Sequence, residues 1–167
     1  GKKAGTLSDI AGFSFFPDKN ITTGEGGMIV TNNSEFAQKC QILKKNGASK
    51  RYYNTLIGWN FKMSDINAAL GISQLKRINK INELRKNASL YYHKNLQNIP
   101  GIILPDMVND KSHSYHLYTI RVTKPFKLSR NQLFKKLKNN GIRTAVYWMP
   151  IHKYSAFRKF ANLSNVK

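Results

Sequence analysis

The sequence predicts an α/β protein, and three stretches of the chain carry that prediction. Near its start, two short apolar runs flank a glycine-rich loop and lead into a helical pattern, which indicates a strand–loop–strand–helix layer. A long helical pattern occupies the middle of the chain, and a strand–helix–strand pattern follows it. We therefore expect an α/β layer, a long linking helix and a small α+β lobe.

The first layer begins with residues 11–16 and 27–31, which are apolar and, in the second run, β-branched. Both runs predict buried strands. The dipeptide Asn33-Ser34 offers an N-cap for the helix that follows. Asn46-Gly47 is expected to end that helix, because glycine tolerates the left-handed conformation of a C-cap.

One long helix is predicted after Ser64, which would cap it. Its apolar residues recur at three- and four-residue spacing, at Ile66, Leu70, Leu75, Ile78, Ile81, Leu84, Ala88 and Tyr91. A helix of this length usually bridges two lobes, and Pro100-Gly101 breaks the pattern. We therefore place a domain boundary between residues 1–97 and residues 98–167.

The small domain is predicted from a strand over residues 115–122, a helix and a second strand over residues 142–148. Ser129 and Gln132 have the spacing of a capping box at the start of the helix, and Asn140-Gly141 ends it. The remaining parts would lie beyond the last residue of the sequence. This domain is therefore expected to be truncated.

Composition limits the function classes. The 167 residues carry a formal net charge of +20, from 28 Lys and Arg against 8 Asp and Glu, and such a field attracts phosphates. Nucleic-acid binding is one candidate, but the lysines are scattered and no groove-reading or base-stacking motif accompanies them. A nucleotide-linked anionic substrate suits the same field.

The sequence predicts no membrane partner and a cytoplasmic location. Its single cysteine, Cys40, excludes an internal disulfide.

The most informative segment is residues 13–27, where a lysine follows an apolar strand and precedes a glycine-rich turn. A lysine just past the end of a buried strand can be partly desolvated, which favours its free amine. A free amine attacks an aldehyde and forms an imine. Position alone would make Lys19 a solvated surface lysine, but the residues around it favour the imine-forming role.

Four blocks of the sequence resemble a known enzyme family. Residues 5–20 and 23–31 surround Lys19, and their serine, lysine and Gly-Glu-Gly-Gly turn keep the spacing of the Schiff-base lysine region of the DegT/DnrJ/EryC1/StrS aminotransferases. Residues 58–75 are similar to the second block of that family, and residues 141–152 to its third. The resemblance covers nearly the whole chain, which looks like the C-terminal part of such an enzyme.

The resemblance implies a fold-type-I, aspartate-aminotransferase-like architecture and a homodimer with shared active sites. In it, residues 1–97 would complete the large cofactor-binding domain, and residues 98–167 would form the small C-terminal domain. The implied cofactor is pyridoxal 5′-phosphate (PLP). The implied reaction transfers an amino group, usually from glutamate, to a nucleotide-linked keto-sugar, which yields amino sugars for surface polysaccharides or related glycans.

Four residues of this sequence match functional positions of the family. The resemblance implies that Lys19 holds PLP as a Schiff base and moves the proton during transfer, and that Ser14 donates its hydroxyl to the cofactor phosphate. It implies that Asn60 reaches the phosphate of the neighbouring subunit's cofactor. His152 matches a histidine near the substrate pocket. No metal is implied.

The sequence departs from the family pattern at three places. Lys62 stands where the family usually has arginine, so a bidentate anion clamp becomes a point charge. Tyr147 stands where many members have histidine. The carboxylate for the pyridine nitrogen and the phosphate loop come from a part of the family enzymes that precedes this chain. We therefore expect a fragment that is inactive alone.

Two alternatives from other classes remain open at this point. Some members of the superfamily are dehydratases or regulators, so the chain could belong to a non-catalytic relative. Dehydratase members replace the lysine with histidine, whereas residue 19 is lysine, which favours transamination. A basic nucleic-acid-binding module is the weakest hypothesis.

Overall fold

The computed structural model describes residues 2–107 and 113–157. The chain divides into two compact units, of which the first comprises Gly1–Lys94 and Asp106–Tyr118. The second comprises Asn95–Pro105 and Thr119–Lys167. The domain division predicted at residue 97 stays a prediction about the complete protein. The predicted truncated end of the small domain, residues 158–167, lies outside the described residues.

The first unit begins with a two-stranded antiparallel sheet. Strand β1 (Ile10–Ser14) pairs with β2 (Gly27–Thr31), and the register sets Ser14 opposite Gly27. Helix α1 (Ser34–Leu43) follows, and the side chain of Asn33 accepts hydrogen bonds from the first backbone amides of the helix. The predicted strand–loop–strand–helix order is thus observed.

After α1 the chain reverses direction through a left-handed pair, Asn46 and Gly47, at φ of 60° and 76°. A short hairpin follows, made of β3 (Ala48–Lys50) and β4 (Tyr53–Asn54). The returning segment is tied to the end of α1, because the Trp59 amide donates to the Leu43 carbonyl at 2.9 Å.

The prediction of one long helix is wrong, because two helices occupy that stretch. Helix α2 (Asp65–Leu75) begins at the predicted cap Ser64, and α3 (Ile78–Leu96) follows it. At the break the Arg77 amide donates to the Gln74 carbonyl, a tighter three-residue bond in place of the four-residue bond of an α-helix. No glycine or proline marks this break, and the apolar spacing continues across it.

The second unit contains a small sheet and one capped helix. Strands β5 (Ile102–Ile103) and β6 (Arg121–Val122) pair antiparallel. Helix α4 (Arg130–Asn139) begins with the predicted capping box between Ser129 and Gln132, and a 3₁₀ turn covers Ile151–Lys153.

Both strands predicted for the small domain need correction. The strand expected over residues 115–122 is reduced to Arg121–Val122. Residues 142–148 form no strand in the described part of the chain. A strand is stabilised by pairing with a neighbour, and the described residues provide no partner for that run.

No large apolar side chain is fully enclosed within the described residues, where the buried positions are Thr23, Gly47 and Ser89. The expectation that β1 and β2 are buried is therefore wrong for this chain by itself, since Met28 and Ile29 are 54% and 55% exposed. Apolar exposure of this extent marks contact surfaces. Cys40, on α1, is half-buried and free. None of the described helices is both long and apolar enough to cross a membrane.

Candidate active site

The loop between β1 and β2 presents Lys19. Two backbone bonds close the base of this loop: the Phe15 amide donates to the Gly26 carbonyl at 2.9 Å, and the Thr23 amide donates to the Phe15 carbonyl at 3.0 Å. At the tip, the Lys19 amide donates to the Phe16 carbonyl at 3.0 Å and forms a turn. The lysine therefore sits on a short loop with a hydrogen-bonded base.

Threonines and glycines shape the returning side of the loop. The Thr22 hydroxyl donates to the Phe15 carbonyl at 2.9 Å and accepts from the Gly24 amide at 2.9 Å. Thr23 is buried, and its hydroxyl donates to the Glu25 carbonyl. A side chain at Gly26 would collide with Thr23, because its Cβ would lie 2.3 Å from that hydroxyl oxygen. The turn needs glycine for this close packing.

Helix α2 anchors the same turn through Asn67. Its amide nitrogen donates to the Thr23 carbonyl at 2.7 Å and to the Glu25 carbonyl at 3.1 Å. Ser64, the helix cap, donates its hydroxyl to the side-chain oxygen Oδ1 of Asn67, which orients the side-chain amide. Asn67 was not among the predicted site residues, and its position in the first turn of a capped helix is the one local signal for it.

Lys19 Nζ has two polar neighbours. Asp18 Oδ1 lies 2.9 Å away, and His116 Nε2 lies 3.4 Å away. The side chains of Lys19 and Asp18 are 33% and 44% exposed, so the expected desolvation of Lys19 is only partial. An ion pair this exposed contributes at most about 1 kcal/mol and leaves the amine available for chemistry.

The next residue, Asn20, ties the loop to distant parts of the unit. Its amide nitrogen donates to Asn82 Oδ1 on α3 at 2.8 Å and to the Ser114 carbonyl at 2.7 Å. Arg85, also on α3, donates to the carbonyls of Tyr115 and His116 at 3.4 and 3.2 Å. Segment 114–116 is thereby held beside Lys19. No periodicity or motif in the sequence pointed to these contacts.

The other predicted site residues lie at separate places. Ser14 ends β1, so it shares the strand and loop that carry Lys19, and its hydroxyl accepts from the Phe16 amide at 3.3 Å. Asn60 is exposed in the segment tied to the end of α1, where it bridges to Lys45. His152 lies half-buried in the 3₁₀ turn of the second unit.

The residues of the first unit fit part of a PLP site. Lys19 offers a primary amine for an aldehyde, and the Ser14 hydroxyl, which accepts from Phe16, retains its own hydrogen to donate to a phosphate. Gly24 has φ of +78° with open space where a side chain would be, so backbone can approach a ligand there. Groups of three His, Cys, Asp or Glu that could hold a metal do not occur among the described residues.

Comparison with known proteins identifies one family, on which the family model and an individual relative agree. The model of the DegT/DnrJ/EryC1/StrS aminotransferase family matches residues 1–166. A GDP-perosamine synthase of Vibrio cholerae is 36% identical over 163 residues, which cover 96% of this chain and 44% of that protein.

Two solved structures share the fold. Helicobacter pylori PseC, an aminotransferase involved in the biosynthesis of pseudoaminic acid, superposes with a TM-score of 0.87 at 31% identity. The matched region is 99% of this chain and 46% of the PseC chain. The DesV protein of S. venezuelae, solved in complex with a ketimine intermediate, superposes with a TM-score of 0.88 at 29% identity. The matched region is 99% of this chain and 44% of the DesV chain. The chain thus spans less than half the length of these relatives. The likeness confirms the predicted fold class, part of a fold-type-I transferase.

Proposed function

Because the chain belongs to the DegT/DnrJ/EryC1/StrS aminotransferase family, we propose that it is the lysine-bearing part of an enzyme that aminates a nucleotide-linked keto-sugar. The amino donor is glutamate, and the cofactor is PLP. The relative from Vibrio cholerae supports a sugar nucleotide as substrate, since it is a GDP-perosamine synthase. The product is an amino sugar for surface polysaccharide or a related glycan.

PLP, when bound, supplies an electron sink that stabilises negative charge on the carbon losing its proton. Lys19 would hold the cofactor covalently through Nζ, and its free amine would carry the proton between the donor and cofactor carbons. Ser14 donates its hydroxyl to the phosphate. The hydrogen-bonded loop base and the Asn67 contacts hold the turn that carries both. His152 contacts the sugar substrate.

The observation that carries the proposal is the placement of the Lys19 amine. The amine projects from a loop whose base is closed by backbone hydrogen bonds and whose returning side is bonded to α2. One third of the Lys19 side chain nevertheless remains exposed. A fixed backbone with an accessible amine meets the requirement of covalent catalysis that the nucleophile be both positioned and reachable.

Borohydride reduction of the complete protein with PLP, followed by peptide mapping, tests the role of Lys19. The pyridoxyl group should be found on Lys19. Lys19→Arg keeps the charge but cannot form the covalent bond, so cofactor absorbance and amino transfer should both be lost. Lys39→Arg, an exposed lysine on α1, is the matched control and should retain both. A label on a different lysine, or normal turnover by Lys19→Arg, would refute the proposal.

We also propose that the enzyme is a homodimer in which Asn60 binds the phosphate of the neighbouring subunit's cofactor. The support is local. Asn60 is exposed, and the neighbouring rings of Trp59 and Phe61 are exposed and stack on each other with their centroids 5.8 Å apart. Aromatic side chains exposed next to a polar ligand-binding group are typical of an interface that is covered in the assembly.

Subunit mixing tests the shared site. Lys19→Ala and Asn60→Ala proteins should each be inactive, and mixing them should restore part of the activity because one hybrid site then has both residues. Asn139→Ala, an exposed asparagine on α4, should behave as wild type. Wild-type PLP affinity in Asn60→Ala would contradict the assignment.

A further inference from the structure

A histidine from a distant part of the chain lies beside the candidate lysine. His116 and Lys19 are 97 residues apart in sequence, yet Nε2 of the one lies 3.4 Å from Nζ of the other. The contact is long for a hydrogen bond. The second ring nitrogen, Nδ1, is buried and has no hydrogen-bond partner among the described residues.

The backbone around His116 is held from three sides. Asn20 donates to the Ser114 carbonyl, and Arg85 donates to the carbonyls of Tyr115 and His116. The Tyr115 amide donates to His113 Nδ1 at 2.9 Å. Tyr115 has φ of 43°, a left-handed conformation that is unfavourable for a non-glycine residue. These contacts therefore hold a strained backbone that presents the imidazole to Lys19.

The chemistry of the two groups defines the direction of the contact. A lysine ammonium has three N–H donors and no acceptor, so His116 Nε2 can contact it only as the acceptor. The charged and titratable groups around the contact are Asp18 and Lys19 from the loop, Arg85 from α3 and His113 from the same segment. The Asp18 carboxylate offsets the lysine charge, and the imidazole ring offers Nε2 as a second acceptor.

We propose that His116 is a positioning residue for Lys19, an inference that rests on the proposed function. Asp18 Oδ1 and His116 Nε2 accept two of the three N–H groups of Nζ and thereby fix the direction of the third. When the third N–H gives its proton to solvent, which reaches the partly exposed side chain, the lone pair emerges in the same direction. The two acceptors therefore orient the amine for attack on the cofactor aldehyde and for proton transfer after release.

The test separates orientation of the amine from its general reactivity. The rate of PLP capture by cofactor-free complete protein depends on orientation, whereas acetylation of Lys19 by acetic anhydride, a small reagent that approaches from any side, does not. His116→Phe keeps a ring but removes the acceptor, so PLP capture and the half-reaction with the amino donor should slow about tenfold. Lys19 acetylation relative to Lys39 should stay within about twofold of wild type.

Matched variants define the specificity of the effect. His116→Gln retains an acceptor near the position of Nε2 and should restore capture to within about threefold of wild type. His93 is also a half-buried histidine of the first unit whose Nδ1 is buried without a partner in the described residues, so His93→Phe is the control and should leave capture unchanged.

Several results would overturn the proposal. Normal capture by His116→Phe, a glutamine variant as slow as the phenylalanine variant, or acetylation that falls in parallel with capture would each do so. If His116→Phe does not fold, Asn20→Ala removes the bond to Ser114 instead, and unchanged capture in that folded variant would contradict the inference. Borohydride labelling of wild type on a lysine other than Lys19 would remove the proposed function as well, which distinguishes the two failures.

Discussion

Replacing Gly47 with alanine tests how the end of α1 is joined to the segment that carries Asn60. Gly47 adopts φ of +76°, and a Cβ there would lie 1.7 Å from the Leu56 carbonyl oxygen and 2.6 Å from the Leu56 carbonyl carbon. Both atoms are backbone, so no side-chain rotation relieves the collision. The Gly47 carbonyl also accepts from the amides of Thr55 and Leu56, at 2.9 and 3.2 Å, which fixes this approach.

The expected loss follows from two contributions. A left-handed alanine costs about 1–2 kcal/mol. Relieving the overlap requires moving the Leu56 backbone away from Gly47, which breaks two backbone hydrogen bonds worth about 1 kcal/mol each. Gly47→Ala should therefore lower the free energy of unfolding by about 3–4 kcal/mol. Gly24 is the matched control, since its φ of +78° is nearly the same but nothing lies within 4 Å of its Cβ position.

Urea unfolding of the complete protein without cofactor, followed by tryptophan fluorescence, measures both effects. Trp59 is a suitable probe, because its carbonyl accepts from the Asn46 amide beside the mutated turn. Gly24→Ala should lose only the conformational part, about 1–2 kcal/mol. Equal losses for the two alanine variants would refute the claim that backbone overlap, and not the left-handed conformation alone, requires glycine at position 47.

Three other predictions concern the site loop, a helix cap and the net charge. Asn67→Ala removes the bonds to Thr23 and Glu25, so it should weaken PLP affinity and destabilise the protein by about 1–2 kcal/mol. Cofactor titration and urea unfolding measure the two effects, and the control Asn139→Ala should change neither. Ser129→Ala removes a cap and should cost about 1 kcal/mol of stability with unchanged PLP affinity. The +20 charge should give only weak DNA binding that disappears at physiological salt, and nanomolar affinity in a salt titration there would contradict this.

Helix starts were predictable from the sequence because capping is a local interaction. Asn33, Ser64 and Ser129 each accept a backbone amide two or three residues ahead, so the signal and its partner fall within one turn. The break between α2 and α3 was not predictable in the same way. It results from a tighter turn at residues 76–77 that contains neither glycine nor proline and leaves the apolar spacing intact.

Strands were harder to predict than helices, since their hydrogen-bond partners are remote in sequence. The run at residues 27–31 pairs with β1 across a loop and is observed as a strand. The run at residues 142–148 has a similar apolar composition but forms no strand within the described part of the chain. Composition indicates that a segment suits a sheet, whereas pairing requires a neighbouring strand that composition does not identify.

The same distinction explains which parts of the candidate site were found. Lys19, Ser14 and the glycine turn lie within one loop, so their spacing in the sequence carries the prediction. The contacts proposed to orient Lys19 join it and Asn20 to residues 62 to 97 positions away, and no pattern along the chain records them. The proposed nucleophile is therefore encoded locally, while the proposed orientation of its amine depends on the bonds that join the loop to α3 and segment 114–116. A variant that weakens those bonds should slow PLP capture by Lys19 without changing any residue of the motif that identified the lysine.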